Sequence, residues 1–190
     1  MKKIVILTIA LLILPISVWT KDELPELRPV ESLDVNRCTG TWFEIARLKY
    51  FFEKNVVAGT STLLIRPNGD FRIINEGRKG SFTGKWVSAK GVAWRADKKS
   101  ISRFKVRFFW PFYGQYWVIE VGKDYEYIVV GHPKRKHLWI LSRTPQIDKS
   151  VYAGILERIK ERGFDMSRLE EIPQLTEKGI HVSTSSLVHE

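Results

Sequence analysis

Cysteine and histidine are scarce in this 190-residue chain, which contains one cysteine and four histidines. Because Cys38 stands alone, no disulfide can form within the chain. The histidines show no metal-ligand spacing with cysteine or carboxylate residues, so the sequence predicts no metal site. They are His132, His137, His181 and His189.

Catalytic signatures are missing as well. The sequence contains no G-x-S-x-G segment, no phosphate-binding glycine loop and no evident pairing of a nucleophile with a base. Cys38 precedes the first predicted strand, and such a residue is more often a small structural hydrophobe than a nucleophile. We therefore predict a protein that is not an enzyme and uses no cofactor.

Long apolar runs are limited to the N-terminus. Lys2 and Lys3 precede an apolar run over residues 4–19, which Pro15 interrupts. The run is too short for a transmembrane helix, and a short basic start followed by an apolar segment is typical of a secretory signal. We predict a signal peptide over residues 1–20 and an exported protein. No A-x-A cleavage pattern is present, so cleavage and retention as an anchor both stay open.

Acidic residues are outnumbered, since 21 Asp and Glu stand against 31 Lys and Arg for a net charge of +10. This excess favours anionic partners. Within residues 102–109, Arg103, Lys105 and Arg107 share one face of a predicted strand, which is either solvated or in contact with an anionic membrane. The aromatic residues of this strand point the opposite way and cannot form one stacking platform with the cations, so we predict no nucleic-acid partner.

Strand patterns dominate residues 40–144, with turn signals between them such as Asn68-Gly69-Asp70. About eight strands are predicted, which favours an all-β, antiparallel up-and-down barrel. After the first, at 40–47, they cover residues 61–66, 71–76, 85–96, 102–109, 115–121, 125–131 and 138–143.

A helical period replaces the strand pattern after Pro145. Apolar residues between 151 and 159 recur on one face, which predicts one C-terminal α-helix at about residues 147–162, packed outside the barrel. The predicted domain covers residues 33–173, after an extended lead-in at 21–32 and before a polar tail at 174–190.

Two segments carry a family resemblance: GTWFEIAR at 40–47 and LWILSRTP at 138–145. They resemble the first and last barrel strands of the lipocalins, and FFEKN at 51–55 and WPFYG at 110–114 support a resemblance to the bacterial and apolipoprotein D-like branch. The usual T-D-Y motif is KDY at 123–125. The resemblance implies a barrel whose structural floor is formed by Gly40, Trp42 and Arg143, with the guanidinium lying over the indole.

The lipocalin architecture also implies an inward face for each strand, and period-two counting from Trp42 and Arg143 then gives the residues. The counting places Glu44, Ala46 and Leu48 inside with Trp42, and Glu120 inside with Tyr116 and Val118. The predicted ligand-binding residues are apolar or aromatic for the most part. They are Leu63, Phe71, Ile73, Phe104, Val106, Phe108, Tyr116, Val118, His137, Trp139 and Leu141.

The implied function is the binding of fatty acids or (lyso)phospholipids in the barrel, for lipid transport or storage and maintenance of the cell envelope. Two alternatives stay open: a lipocalin-fold enzyme acting on a hydrophobic ligand, and a membrane-surface or partner-binding protein whose barrel is filled. Glu44 and Glu120 either bond buried tyrosine, tryptophan or arginine side chains or anchor a ligand.

Location follows from the same resemblance. Many bacterial relatives carry a lipid on a cysteine at the signal cleavage position, whereas Cys38 lies well beyond the predicted signal. We therefore expect a periplasmic or extracellular protein that is not anchored in this way, is a monomer or homodimer, and makes peripheral contact with anionic membranes.

Overall fold

Eight antiparallel strands close into a barrel in the computed structural model, which describes residues 24–49, 55–97, 99–176, 179 and 181–182. Each strand pairs with the next, and β1 pairs with both β8 and β2. The strands are β1 (Gly40–Leu48), β2 (Val56–Ile65), β3 (Phe71–Lys79), β4 (Trp86–Arg95), β5 (Arg103–Arg107), β6 (Gly114–Val121), β7 (Tyr127–Gly131) and β8 (Leu138–Ser142). The predicted up-and-down barrel is confirmed. The predicted signal peptide and most of the FFEKN segment lie outside the described residues.

The two ends of the barrel differ. Because the strands alternate in direction, the turns after β2, β4 and β6 lie at the end where β1 starts, and the turns after β3, β5 and β7 lie at the other end. The lead-in crosses the first end, where Val30 accepts a 2.6 Å hydrogen bond from the Ser102 hydroxyl and donates its N–H to Val118. We call this end the floor and the opposite end the mouth.

One α-helix, α1 (Lys149–Glu161), packs against the outside of the barrel, as predicted. Asp148 caps its N-terminus by accepting hydrogen bonds from the N–H groups of Ser150 and Val151. Its apolar face, with Ile155 and Ile159, joins an outer core that includes β-strand residues. Across the described residues, no helix combines the length and apolar character needed to span a membrane.

A C-terminal segment completes the wall beside β1. After a short 3₁₀ turn (Met166–Arg168), β9 (Leu169–Glu171) pairs with the second half of β1, and β10 (Gln174–Leu175) pairs with β11 (His181–Val182). The Gln174 amide donates to the carbonyls of Glu44 and Gly59 at 2.7 and 2.9 Å and is buried. The wall therefore extends past residue 174, where the sequence pattern predicted the start of a tail.

Two β-bulges change which residues face inward. On β1, the bulge between Glu44 and Ala46 shifts the alternation, so Ala46 and Leu48 pack in the outer core instead of pointing inward. On β6, the bulge between Val118 and Glu120 turns Glu120 outward toward α1. The predicted inward positions of Ala46, Leu48 and Glu120 are therefore wrong, because an extra residue reverses every later position on a strand.

Candidate functional site

The floor is built on Trp42, which is fully buried. Its indole N–H donates to the Cys38 carbonyl at 2.8 Å, and the Arg143 guanidinium carbon lies 3.6 Å from the centre of its ring. Arg143 also donates to the Thr41 and Arg37 carbonyls. These contacts join the first strand, the segment before it and the residue after the last strand, and a stacked cation of this kind contributes about 0.5–2 kcal/mol.

Gly40 is required where β1 enters the floor. Its φ is +88°, a left-handed conformation that favours glycine. A Cβ at this position would also lie 3.5 Å from an Arg143 guanidinium nitrogen. That distance is an ordinary van der Waals contact, so the left-handed backbone at the turn into the strand is what favours glycine two residues before the tryptophan.

Cys38 lies in the floor and is buried. The thiol donates to the Asp34 carbonyl at 3.4 Å, and burial raises its pKa to about 11. A thiol with this pKa is protonated at neutral pH, and the neutral form is a poor nucleophile. Cys38 therefore acts as a packing residue here.

An apolar cavity lies above this floor. Its volume is about 30 Å³, which is room for about two water molecules. The interior is narrow because aromatic rings occupy it: Phe71 and Phe104 meet edge to face with centroids 5.6 Å apart. The lining residues are Leu33, Val35, Cys38, Trp42, Leu63, Phe71, Ile73, Ala93, Phe104, Tyr116, Val118, Ile128 and Leu141.

Most of the predicted ligand-binding residues surround this cavity. Seven line it directly: Leu63, Phe71, Ile73, Phe104, Tyr116, Val118 and Leu141. Val106, Phe108 and Trp139 belong to the same apolar cluster nearer the mouth. His137 lies further out, where its ring packs on Trp139 at 6.0 Å.

Period-two counting did not find the lining residues that lie outside an alternating strand. Leu33, Val35 and Cys38 come from the irregular segment between the lead-in and β1, which has no strand alternation. Ile128 lies on β7, where all five residues are buried because the helix covers the outer face. A strand buried on both faces gives no alternating signal from which to choose its inward side.

Arg47 is another inward residue that the sequence pattern did not reveal. The bulge on β1 places Glu44 and Arg47 on one face, and their side chains form a 3.0 Å ion pair with Arg47 only 1 % exposed. Arg47 also donates to the Val56 carbonyl and lies 3.6 Å from a Glu170 carboxylate oxygen. The structure thus agrees with the expectation that Glu44 bonds a buried arginine.

Glu120 fastens α1 to the barrel wall. Its carboxylate accepts hydrogen bonds from the Tyr127 hydroxyl at 3.0 Å and from Arg158 at 2.6 Å, and lies 3.3 Å from Arg162. Burial and the nearby Glu120 charge raise the pKa of Tyr127, so the phenol stays a neutral donor. Glu120 therefore has a structural role on the outside of the barrel.

Two histidine rings pack edge to face beside Trp139 at the mouth. His132 and His137 meet at right angles with centroids 5.6 Å apart, and Nδ1 of His132 accepts from the Lys134 N–H. Burial, followed by the charges of Lys136 and Lys134, lowers the pKa of His132. Burial, followed by His132, Arg168 and Lys136, lowers that of His137. Among the residues placed by the structure, no group of three or more His, Cys, Asp or Glu could hold a metal ion.

Acid is expected to destabilise the protein through this pair. The folded-state pKa of each histidine is below its unfolded value of 6.5. The full contribution of the two neutral histidines to the free energy of unfolding is therefore present above pH 6.5, and it is lost as the pH falls through the folded-state pKa values. The melting temperature should fall between pH 7.5 and pH 5, and the fall should be smaller in the double variant His132→Asn, His137→Asn. An equal fall in both proteins would contradict this account.

Sequence and structural similarity to known proteins agrees with the barrel fold described above. A family profile described as a Lipocalin-like domain matches residues 33–174. Outer membrane lipoprotein Blc of Vibrio cholerae is 36 % identical over 153 residues, covering 80 % of this chain and 89 % of that protein. Temperature-induced lipocalin-1 of Arabidopsis thaliana is 36 % identical over 161 residues, covering 80 % and 85 %. The solved structure of insecticyanin from Manduca sexta superposes with a TM-score of 0.65 at 19 % identity, covering 83 % and 88 %. The chain therefore belongs to the lipocalin family.

Proposed function

We propose that this protein is exported and binds fatty acids or (lyso)phospholipids in its barrel, for lipid transport or storage and maintenance of the cell envelope. The chemistry of the cavity lining is the observation that supports this most strongly. None of its side chains is charged, and the indole nitrogen of Trp42 is already bonded to the Cys38 carbonyl. Such a lining favours hydrocarbon over polar ligands.

Burial of hydrocarbon is the main source of the affinity that we propose. A sixteen-carbon chain gains about 12 kcal/mol at about 0.8 kcal/mol per methylene. Association costs of about 4–15 kcal/mol offset much of this gain. Micromolar binding, which corresponds to about −8 kcal/mol, is therefore reached without a specific polar contact only when the association cost lies near its lower limit. Discrimination between chain lengths is weak because one methylene contributes only about 0.8 kcal/mol.

Binding requires the interior to widen, because a cavity of about 30 Å³ is too small for an alkyl chain. The rings of Phe71, Phe104 and Tyr116 are the groups that have to move. A ligand can shift the protein toward such an open conformation only by binding it more tightly than the narrow one. The free energy gained by burying the hydrocarbon chain therefore has to offset the cost of opening the interior as well.

The relatives support export and association with a membrane, whereas the word lipoprotein in their names conflicts with the expectation of a protein without a lipid anchor. The relatives from Vibrio cholerae and Escherichia coli are named outer membrane lipoprotein Blc, a name that assigns them to the outer membrane. For this chain we propose a periplasmic or extracellular protein that contacts anionic membranes, because membranes are the source and destination of such lipids.

A fluorescent fatty acid titrated into delipidated protein tests the proposal. Phe108→Asp and Trp139→Asp each place a charge against the interior cluster, so we expect affinity to fall roughly tenfold or more. Phe109→Asp is the matched control, since Phe109 adjoins Phe108 but is 67 % exposed. Unchanged affinity in folded Phe108 and Trp139 variants would contradict the proposed site.

The narrow cavity favours a second candidate, a surface-binding protein with a filled barrel. In that case the delipidated wild type would bind no fatty acid at any concentration below the critical micelle concentration. A lipocalin-fold enzyme is less well supported, because the buried Cys38 thiol is protonated at neutral pH. We therefore propose a binding function and no catalysis.

A further inference from the structure

The loop between β5 and β6, at the mouth, exposes four large aromatic residues in a row of five positions. Exposed fractions are 67 % for Phe109, 81 % for Trp110, 77 % for Phe112 and 59 % for Tyr113. We call these four residues the aromatic tip. A contiguous exposed patch of this kind marks an interaction site more often than chance exposure of single side chains.

A groove lined by cations lies beside the tip. Arg72, Lys90 and Arg107 come from the adjacent strands β3, β4 and β5, and all three are exposed. Val92 pairs with Arg72 on one side and with Arg107 on the other, which brings the cations together on the outer face. The groove has a volume of about 560 Å³, and Trp110 forms part of its wall. We call it the cationic groove.

Aromatic rings also lie among the cations of this outer wall. Arg107 lies over Trp94 at 5.7 Å, Lys105 over Tyr113 at 5.2 Å and Arg103 over Trp117 at 4.5 Å. The prediction that aromatics and cations occupy opposite faces concerned β5 alone, and the neighbouring strands β4 and β6 add the outward tryptophans Trp94 and Trp117 to its cationic face.

The pairing of rings with cations favours a membrane over nucleic acid. Base stacking needs exposed rings along a cationic track. Here the rings of Trp94 and Trp117 already carry guanidinium groups on a face, whereas the exposed rings of the tip project from one turn. Aromatic side chains at the level of lipid headgroups, flanked by Lys and Arg, match the interface of an anionic bilayer.

We propose that the aromatic tip and the cationic groove form a docking surface for an anionic lipid bilayer. The tip enters the headgroup region, and the groove holds lipid phosphate groups through Arg72, Lys90 and Arg107. This surface does not require a lipid inside the barrel. The position of the aromatic tip at the mouth would also bring the barrel interior next to the membrane, a consequence that rests on the proposed lipid-binding function.

Co-sedimentation with vesicles tests the docking surface. Wild-type protein should bind vesicles of phosphatidylcholine and phosphatidylglycerol in a 3:1 ratio and bind pure phosphatidylcholine at least tenfold more weakly, since each cation near an anionic surface contributes about a fivefold gain. Raising the salt concentration should weaken this binding further. Equal binding to both vesicle types, or no binding to either, would overturn the proposal.

Paired variants locate the surface. Trp110→Ser with Phe112→Ser should weaken vesicle binding tenfold or more, whereas Leu24→Ser, which changes an exposed apolar residue beside Gly163, just after α1 and outside the tip and the groove, should not. The charge-reversal triple Arg72→Glu, Lys90→Glu, Arg107→Glu should abolish the preference for phosphatidylglycerol. The triple Lys123→Glu, Lys149→Glu, Lys160→Glu is its control, because it alters the net charge equally at exposed sites elsewhere.

Equal losses in the target and control variants would overturn the proposal. So would a dimer, seen by analytical ultracentrifugation, that depends on the tip in a protein that does not bind vesicles, because the tip would then cover a second copy. Fatty-acid titration without vesicles separates the two proposals: the tip variants should keep wild-type affinity there. A protein that binds vesicles but no fatty acid would contradict the barrel function and leave the docking surface supported.

Discussion

Replacing Trp42 with alanine is expected to lower the free energy of unfolding by about 3–5 kcal/mol. The residue is fully buried, its indole N–H bonds the Cys38 carbonyl, and Arg143 lies against its ring. Alanine would remove the largest side chain of the floor and leave Arg143 without its aromatic partner. Urea denaturation followed by circular dichroism measures the change.

Trp110→Ala is the matched control for this prediction. It removes the same side chain from a position that is 81 % exposed, so the stability change should stay within about 0.5 kcal/mol. A loss below about 1 kcal/mol for Trp42→Ala would show that the floor does not depend on the stacked pair. Trp42→Phe, which keeps a ring under Arg143, should retain part of the stability.

Replacing Arg47 with methionine should cost a similar amount, about 3–5 kcal/mol, for a different reason. The change keeps most of the packing volume but leaves the Glu44 carboxylate buried without the guanidinium that lies 3.0 Å away. A buried charge that loses its partner is far more costly than a buried pair that is removed completely.

The double variant Glu44→Gln, Arg47→Met separates charge from packing. If the cost of Arg47→Met comes from the stranded carboxylate, the double variant should be more stable than Arg47→Met alone, with a coupling energy of about 1–3 kcal/mol in a double-mutant cycle. Additive effects of the two substitutions would contradict the assigned ion pair.

The fold could be predicted from the sequence because its signals are local. Alternation on β5 and the Asn68-Gly69-Asp70 turn each specify a strand or hairpin without reference to distant residues. The helical period after Pro145 gave α1 in the same way. The two terminal strand motifs then indicated how the barrel closes.

The inward faces could be predicted only as far as alternation is unbroken. Phe71 and Ile73 on β3 lie inside as counted, whereas the bulges at Ile45 and Ile119 moved Ala46 and Glu120 outward and brought Arg47 inward. A bulge depends on how two strands pair, which a single strand's residues do not encode. For the same reason, the sequence of β5 alone did not show that Trp94 and Trp117 on the neighbouring strands would share its cationic face.

The size of the cavity was also beyond sequence reasoning. Aliphatic and aromatic residues on the inward face suit both an open site and a filled core. The edge-to-face packing of Phe71 on Phe104 is a tertiary contact between β3 and β5, and it reduces the space to about 30 Å³. Lipid binding in the barrel therefore requires these rings to move aside for a hydrocarbon chain.

Methyl NMR with a fatty acid that carries a nitroxide near its methyl end tests this most directly. The account predicts that one equivalent broadens the methyl signals of Ile73, Val118 and Ile128 in the interior cluster, and leaves Ile155 and Ile159 under the helix sharp or less affected. Broadening confined to surface methyls, or none below the critical micelle concentration, would show that the alkyl chain does not enter the barrel.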